Sequence, residues 1–377
     1  MHLKRKLDPN SGQKKILSLD GGGIRGMIAI EILAKIEAEL RIKESNPKLL
    51  LSDYFDLVAG TSTGALIGAC VSMGMSVDEI RSFYKNNGKD MFEYAGKLNE
   101  YKNAQKYYAH KLETILKEVC GVDTTLQSDK LKTLFLVVMH NIDTDSAWPI
   151  MNNPYAKYND LEKNGERSNL HLSLWQLLRA STAAPTYFLP EEINVGERIF
   201  SFVDGAITPY NNPAFQAYLM STLKAYNINW HKGEENLLLV SIGTGEAEMN
   251  GIEDSILDSL GIVQKAKSVP KHLLNSIAYQ QDMLCRIFGN CLVGDVLDAE
   301  IGDLKDANGS GCTNENLFTY LRYDVKLSRD SFKALSLEHI NPKDVSELDA
   351  VEAIDAMAEV GRVVAERKVR VEDFEGF

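Results

Sequence analysis

Residues 15–26, Lys-Ile-Leu-Ser-Leu-Asp-Gly-Gly-Gly-Ile-Arg-Gly, join a short apolar run to a helical pattern through three consecutive glycines. The apolar run predicts a buried strand that ends before Asp20, and the isoleucines from Ile24 onward recur at the four-residue spacing of an amphipathic helix. A strand, a glycine turn and a helix in this order present several backbone N–H groups to a negatively charged oxygen. The stretch therefore predicts an anion-binding turn, but leaves open whether the anion is a phosphate or the oxyanion of an acyl-transfer reaction.

Strands and helices continue to alternate along the first two thirds of the chain. The predicted strands are 16–19, 54–59, 134–139, 199–203 and 237–242, and the predicted helices are 24–40, 65–73, 76–88, 104–120 and 172–184. Strands separated by helices favour an α/β fold with a parallel sheet covered on both faces. Beyond about residue 250 the alternation loosens, with a strand-like run at 317–327 and a terminal helix near 345–368.

The charge balance restricts the partners of the chain. Its formal net charge is −12 over 377 residues, which disfavours nucleic acid as a partner. The N-terminal 13 residues form a local exception, since Lys4, Arg5 and Lys6 lie there with Asp8 as the only acid. We expect residues 1–13 to be a flexible, solvated basic arm, with an arm that binds a membrane or a partner as the alternative.

The cysteines and the apolar segments indicate the compartment. Five cysteines form no closely spaced pair, which favours reduced thiols over disulfides or a zinc site. No apolar run of signal-peptide length precedes Asp20, and no stretch approaches the roughly 20 apolar residues that span a bilayer. The sequence thus predicts a cytoplasmic protein that contacts membranes only transiently, and no pattern in it sets an oligomeric state.

Nucleotide binding is one interpretation of the glycine turn. Gly21, Gly23 and Gly26 satisfy the G-x-G-x-x-G pattern of dinucleotide-binding folds. That fold also needs an acidic residue after the second strand, where this chain has Ala59-Gly60-Thr61-Ser62. Because the acid that would hold a ribose is missing, nucleotide binding is the weaker alternative.

A serine follows that second strand within Gly60-Thr61-Ser62-Thr63-Gly64, a G-x-S-x-G sequence. Between a strand and a helix, this pattern is typical of a tight turn that exposes a nucleophilic serine. An ordinary glycine-rich connection has the same composition. The triple-glycine turn after a neighbouring strand favours the nucleophile.

A serine nucleophile needs a base. Among the seven histidines only His140, after the strand 134–139, lies where a catalytic residue at a strand end is expected. Asp204, in Phe202-Val203-Asp204-Gly205-Ala206 at the end of another strand, is the better candidate. A carboxylate with a pKa near 3.9 is a weak base, so it would have to be partly desolvated and touch the serine directly.

Three segments together resemble the signature blocks of patatin-like phospholipases: Asp20–Gly26, Gly60–Gly64 and Asp204-Gly205-Ala206. Residues 179–188 and 241–245 resemble framework segments of the same family, so the resemblance covers about residues 14–250. It implies a three-layer α/β/α sandwich with a mostly parallel central sheet.

The resemblance also implies a mechanism and its residues. Ser62 would be the nucleophile and Asp204 the general base in the hydrolysis of fatty-acyl esters of membrane glycerophospholipids, without a metal or a cofactor. The N–H groups of Gly21, Gly22 and Gly23, with that of Thr63 as a further candidate, would form the oxyanion hole. Arg25 would support this turn or meet a lipid phosphate, unless it is simply solvated.

Residues 251–377 match nothing in that family, and we expect them to be a helical elaboration packed on the catalytic core. Some bacterial patatin-like phospholipases are activated by cyclic nucleotides as defence effectors, so this part could hold such an activator site. A catalytically silent binding or scaffold protein on the same core is the remaining alternative. Residues 91–111 interleave aromatic side chains with lysines, a pattern that fits either a lid over a lipid site or a packed helix with a lysine face.

Overall fold

The computed structural model describes residues 2–95, 106–247, 276–297, 302 and 315–377. Its strands are β1 Lys14–Leu19, β2 Leu57–Thr61, β3 Leu134–Asn141, β4 Ser146–Met151, β5 Glu191–Val195, β6 Arg198–Asp204, β7 Leu237–Ile242, β8 Glu246–Ala247, β9 Asn290–Val293, β10 Thr319–Tyr323 and β11 Lys326–Leu327. Its α-helices are α1 His2–Leu7, α2 Gly26–Lys43, α3 Leu51–Tyr54, α4 Thr63–Ser72, α5 Val77–Met91, α6 Ala109–Cys120, α7 Leu161–Asn164, α8 Leu174–Ser181, α9 Ala214–Thr222, α10 over 276–288, α11 Arg329–Ala334 and α12 Ile354–Lys368.

One sheet runs through the molecule in the order β5-β6-β3-β2-β1-β7-β10-β9, with β4 paired to β3. The five pairs from β3 to β9 are parallel, whereas β4, β5 and β6 are joined by antiparallel pairs. A strand buried on both faces reads as a continuous apolar run. The central strands β2 and β7, both buried at every position, have that character.

Helices cover both faces of the sheet, and each face has its own apolar core. Along β1, Leu17 and Leu19 face the core that contains α2, α4, α5, α6, α8 and α12, whereas Ile16 faces the core that contains α1, α9 and α10. Alternate residues of a strand point to opposite faces. The predicted three-layer α/β/α architecture with a mostly parallel sheet is therefore confirmed.

Helices α2 and α12 pack unusually closely at Gly361. A Cβ at this position would lie 2.7 Å from the carbonyl oxygen of Ile28 and 2.8 Å from the Cβ of Glu31. The absent side chain lets the backbones approach, so α12 closes the outer side of α2.

Several predicted boundaries are wrong for local reasons. Tyr54 ends the short helix α3 instead of starting a strand, because the Asp53 carboxylate accepts the Leu50 N–H at 3.0 Å and caps a helical turn. The helix predicted at 172–184 is shorter, and the one predicted at 104–120 begins at Ala109, with residues 104 and 105 outside the described part. The terminal helix begins at Ile354 rather than near 345.

The N-terminal segment is partly packed, because Lys6 and Leu7 are buried whereas Lys4 and Arg5 are exposed. The ammonium group of Lys6 donates to the carbonyl oxygens of Ser52 and Phe55 at 2.6 and 2.5 Å, and Lys14 is buried within β1. The prediction of a flexible, solvated arm over residues 1–13 is therefore wrong for Lys6. Its hydrogen bonds to carbonyl oxygens compensate for the burial of charge.

The C-terminal part is not only a helical elaboration. Strand β10 lies between β7 and β9 in the central sheet, so residues beyond 250 complete the core. The run predicted as one strand at 317–327 is divided at Asp324, whose carboxylate accepts the N–H groups of Val325 and Gly245. The bond to Gly245 joins this break between β10 and β11 to the segment between β7 and β8.

Candidate active site

The register of the sheet brings the predicted site residues together. Leu19 of β1 pairs with Gly60 of β2, so the next residues along both strands place the glycine turn beside Ser62. Thr61 pairs with Val138 of β3, and the following residue of β3, Met139, pairs with Asp204 of β6. Ser62 and Asp204 therefore approach each other across β3.

Ser62 lies in a strained turn between β2 and α4. Its φ of 55° and ψ of −124° are rarely adopted by a residue with a side chain, and such a conformation costs roughly 1–3 kcal/mol. A Cβ at Gly60 would overlap the backbone of Gly64, and one at Gly64 would overlap the carbonyl of Leu19. The two flanking glycines thus permit the turn that G-x-S-x-G predicts.

The Ser62 hydroxyl donates to Oδ2 of Asp204 at 2.6 Å. The other oxygen of this carboxylate, Oδ1, accepts the N–H of Ala206 at 2.8 Å. On the serine side, the Ser62 N–H donates to the Ser181 hydroxyl at 2.9 Å, which in turn donates to the carbonyl of Val138 at 2.6 Å. Both reacting groups are held by their neighbours in a fixed orientation. Sequence analysis did not single out Ser181.

The environment makes Asp204 more basic than an ordinary aspartate. The residue is buried, with 2% of its surface exposed. Burial raises the pKa of Asp204 to about 7, while the hydrogen bonds from Ser62 and Ala206 and the positive charge of Arg179 oppose this rise. The desolvation and direct contact that sequence analysis required of a carboxylate base are both present in the structure.

The glycine turn presents fewer N–H groups than the sequence suggested. The N–H of Gly21 donates to the carbonyl of Asn211 at 3.0 Å, so this predicted oxyanion donor is already engaged. Gly21 matters instead for its missing side chain, since a Cβ there would lie 3.3 Å from that of Ser62 and would overlap Asn211. Within the described part of the chain, the N–H groups of Gly22 and Gly23 have no recorded partner.

Thr63 begins the helix that follows Ser62, and Thr244 packs against the glycine turn. Thr63 is the first residue of α4, where backbone N–H groups lack partners within the helix, and its hydroxyl bonds with that of Tyr84. The Thr244 hydroxyl donates to the carbonyl of Gly21 at 3.0 Å and occupies the space that a Cβ on Gly22 would need. Thr244 therefore fixes the backbone of Gly21 and Gly22.

Arg25 and His140 do not contact the dyad. Arg25 is buried, contrary to the solvated alternative, and its Nη1 donates weakly to the carbonyl of Ser346 at 3.4 Å. Its Nε has no partner among the residues described. His140 lies on β3 with its Nε2 at 3.4 Å from the carboxylate of Asp145, so no recorded contact links it to Ser62.

Arg322 approaches the glycine turn from the C-terminal part, and sequence analysis did not identify it. Its Nη2 lies 2.7 Å from Oδ2 of Asp20, the residue directly before the three glycines. Burial raises the pKa of Asp20 to about 7, and the charge of Arg322 opposes that rise. The sequence signal that could have identified Arg322 is that it is the one charged residue in the run 317–323.

Among the described residues, no group of three or more His, Cys, Asp and Glu side chains is arranged to bind a metal ion. In the same residues, no helix combines the length and apolarity needed to cross a bilayer.

The comparisons with known proteins give one family for this chain. The family model of the patatin-like phospholipases matches residues 17–218. Patatin-17 of Solanum cardiophyllum is 32% identical over 251 residues, covering 61% of this chain and 60% of the patatin. Patatin-1-Kuras 2 of Solanum tuberosum is 31% identical over 252 residues, covering 61% and 62%. The chain thus spans about three fifths of the length of these patatins.

Among solved structures, the crystal structure of VipD from Legionella pneumophila aligns with 92% of this chain and 67% of its own, with 12% identity and a TM-score of 0.36.

Proposed function

The chain belongs to the patatin-like phospholipase family, whose model matches more than half of its 377 residues. We propose that it hydrolyses fatty-acyl esters of membrane glycerophospholipids, with Ser62 as nucleophile and Asp204 as general base. The observation that carries the proposal is the 2.6 Å hydrogen bond from Ser62 Oγ to the buried carboxylate of Asp204. Ser62 itself lies on a strained turn between a strand and a helix. This arrangement satisfies the geometric requirement for a serine activated by an adjacent base.

The first half of the reaction acylates Ser62. Asp204 accepts the hydroxyl proton as Oγ attacks the ester carbonyl, and the carbonyl oxygen becomes an oxyanion. The N–H groups of Gly22, Gly23 and Thr63 stabilise this oxyanion, an effect for which one donor contributes about 10²–10³ in rate. The C–O bond then breaks, and the leaving lysolipid oxygen takes the proton from Asp204.

The second half releases the fatty acid. A water molecule gives its proton to Asp204 and attacks the acyl carbon. The tetrahedral intermediate breaks its bond to Oγ, and Ser62 recovers its proton from Asp204. A carboxylate with a pKa near 7 suits both proton transfers, because a catalytic group works best when its pKa is close to the working pH.

Exposed apolar side chains near the dyad support a peripheral contact with a membrane. Ile207 follows Asp204 by three residues and is 47% exposed, and Leu189, whose carbonyl accepts from Arg179, is 46% exposed. Such side chains would insert into the interface while the body of the protein stays in water. We propose a cytoplasmic enzyme that meets its substrate transiently at the bilayer surface.

The proposal is tested with Ser62→Ala and Asp204→Asn in the full chain, assayed by fatty-acid release from phosphatidylcholine vesicles and by labelling with a fluorophosphonate. We expect both variants to fold and to lose at least about 10³-fold in rate, because each removes a group that takes part in every turnover. Wild-type protein should label at Ser62.

His140→Ala is the matched control, since it removes the alternative base and should leave the rate near that of the wild type. Undiminished hydrolysis by a folded Ser62→Ala protein would contradict the proposal. Loss of activity in His140→Ala together with an active Asp204→Asn would instead indicate a histidine-based mechanism. A wild type that neither labels nor releases fatty acid would favour the silent scaffold.

We also propose that a cyclic nucleotide activates the enzyme, and this second proposal rests on the family resemblance. The same vesicle assay with and without cyclic nucleotides tests it. A rate that rises at least tenfold with one cyclic nucleotide would support an activator site, and equal rates with every one would reject it.

A further inference from the structure

Arg322 lies at a point where a charged side chain is costly to bury. It is on the central strand β10, and 4% of its surface is exposed. Burying a charge is unfavourable unless it is paired and hydrogen-bonded. Its guanidinium meets this condition through three partners, namely the Ser241 hydroxyl at 2.8 Å, Asp20 Oδ2 at 2.7 Å and Asp324 Oδ2 at 2.6 Å.

The register of the sheet aims this side chain at the glycine turn. Arg322 pairs with Ser241 of β7, and Ser241 pairs with Ser18 of β1. The side chain therefore extends across β7 to Asp20, which follows β1. Two small residues of β7 and its end leave space for the Arg322 side chain and its partner Asp324. Ser241 has a short side chain, and a Cβ on Gly243 would overlap the carboxylate of Asp324.

Asp20 depends on this contact. Its Oδ1 has no hydrogen-bond partner among the described residues, and within that part of the chain Arg322 is the one side chain that donates to the carboxylate. Asp20 directly precedes Gly21, Gly22 and Gly23 in the chain. Without Arg322 this buried carboxyl would have no charged partner among the described residues, and it would no longer be held in its orientation beside the glycine turn.

We propose that Arg322 is a positioning residue for ester hydrolysis, which fixes the oxyanion-binding turn by pairing with the buried carboxylate of Asp20. This role rests on the proposed function. Arg322 lies outside the region matched by the family model, which ends at residue 218. The C-terminal part of the chain thereby supplies a component of the active-site support.

The test measures kcat and KM of the full chain for p-nitrophenyl butyrate, together with the rate of fluorophosphonate labelling. Arg322→Met should lower kcat and the labelling rate about 10²-fold, as for loss of an oxyanion donor, and change KM less than about threefold. Arg322→Lys should recover at least about tenfold of that loss, because it restores a positive charge near Asp20.

A matched control separates positioning from general stability. Arg81→Met removes an arginine that pairs with buried Glu31 on α2, away from the turn, and should leave kcat within about twofold of the wild type. Asp20→Asn should lower kcat about tenfold by itself. The double variant Asp20→Asn with Arg322→Met should be no more than about threefold slower than Arg322→Met, because the two residues act through one contact.

Each contrary outcome has a distinct meaning. A folded Arg322→Met protein with kcat near that of the wild type overturns the role of Arg322 alone. Additive losses in the double variant overturn the pairing with Asp20. If Arg322→Met does not fold, an unaffected Asp20→Asn protein overturns the proposal. A wild type that shows neither hydrolysis nor labelling overturns the proposed function, and this role with it.

Discussion

At the scale of single residues, the same burial that makes Asp204 a useful base also makes it destabilising. Its carboxylate is removed from water, and burial raises its pKa from 3.8 to about 7. Between these two values the folded protein holds a proton that the unfolded chain has released. The free energy of unfolding therefore falls as the pH rises from about 4 to about 7, and then stays at the lower value.

Replacing Asp204 by asparagine should thus stabilise the fold, and more so at high pH. We expect Asp204→Asn to raise the free energy of unfolding at pH 8 by about 1–4 kcal/mol, since a full shift of three units corresponds to about 4 kcal/mol. At pH 4 the gain should nearly disappear, because wild-type Asp204 is then protonated. Urea unfolding at both pH values measures the difference.

Asp355 provides the control with the opposite sign. It is an exposed carboxylate whose hydrogen bond to Lys85 lowers its pKa, so Asp355→Asn should slightly destabilise the protein at pH 8. A gain for Asp204→Asn that is equal at pH 4 and pH 8 would show that Asp204 is not buried as a raised-pKa acid.

At the scale of secondary-structure elements, two opposing effects decide the stability of a substitution at Gly361, where α2 and α12 meet: the helix propensity of the new residue and its steric overlap with α2. An alanine in a helix interior is favoured over glycine by about 1 kcal/mol. At Gly361 the new methyl group would meet the Ile28 carbonyl at 2.7 Å, and backbone cannot move aside cheaply. Overpacking of this kind typically costs about 1–3 kcal/mol.

We therefore expect Gly361→Ala to lower the free energy of unfolding by about 1–2 kcal/mol, measured by urea unfolding. Gly88→Ala on α5 is the matched control. A Cβ there would meet only the ends of the flexible Ile24 and Ile354 side chains, at 3.1 and 3.4 Å. Its helix propensity should prevail and leave the protein as stable or slightly more stable. Equal effects of both substitutions would contradict the close packing of α2 on α12.

What the sequence could predict also differs from element to element. Strand β7 is predicted with its observed ends, 237–242, because an apolar run bounded by polar residues describes a strand buried on both faces. Strands β4 and β5 are missed, since they are only partly buried and have no such run. Periodicity reports burial, so it finds central strands and overlooks edge strands.

The candidate site divides in the same way. Ser62 and Asp204 stand in short sequence patterns that carry their own turn chemistry, and could be named before the structure. The sequence could not show that Gly21 differs from Gly22 as an oxyanion donor. The N–H of Gly21 is engaged by the carbonyl of Asn211, and these two residues are far apart in the chain. The lone charge of Arg322 in its run was visible in the sequence, but its contact with Asp20 was not, since that contact depends on β10 lying beside β7.

At the scale of the whole molecule, the predicted division into a core of 14–250 and a later elaboration conflicts with the sheet. Strand β7 is buried at all six positions, and one of its two neighbours is β10 from beyond residue 250. Helix α12, also beyond residue 250, covers α2. The region that resembles patatins, residues 14–250, is thus completed by a strand and a helix from residues 251–377.

A chain ending at residue 250 should consequently fail to fold, although it contains every residue of the proposed dyad and oxyanion turn. It would leave the hydrogen-bonding edge of β7 and the apolar side of α2 open to water, and exposed strand edges promote aggregation. We expect aggregated protein, or soluble protein without near-ultraviolet circular dichroism and without fluorophosphonate labelling. The full chain, prepared in parallel, should show both signals. A 1–250 fragment that unfolds cooperatively in urea would contradict the prediction, because it would mean that β10 and α12 are additions to a core already complete.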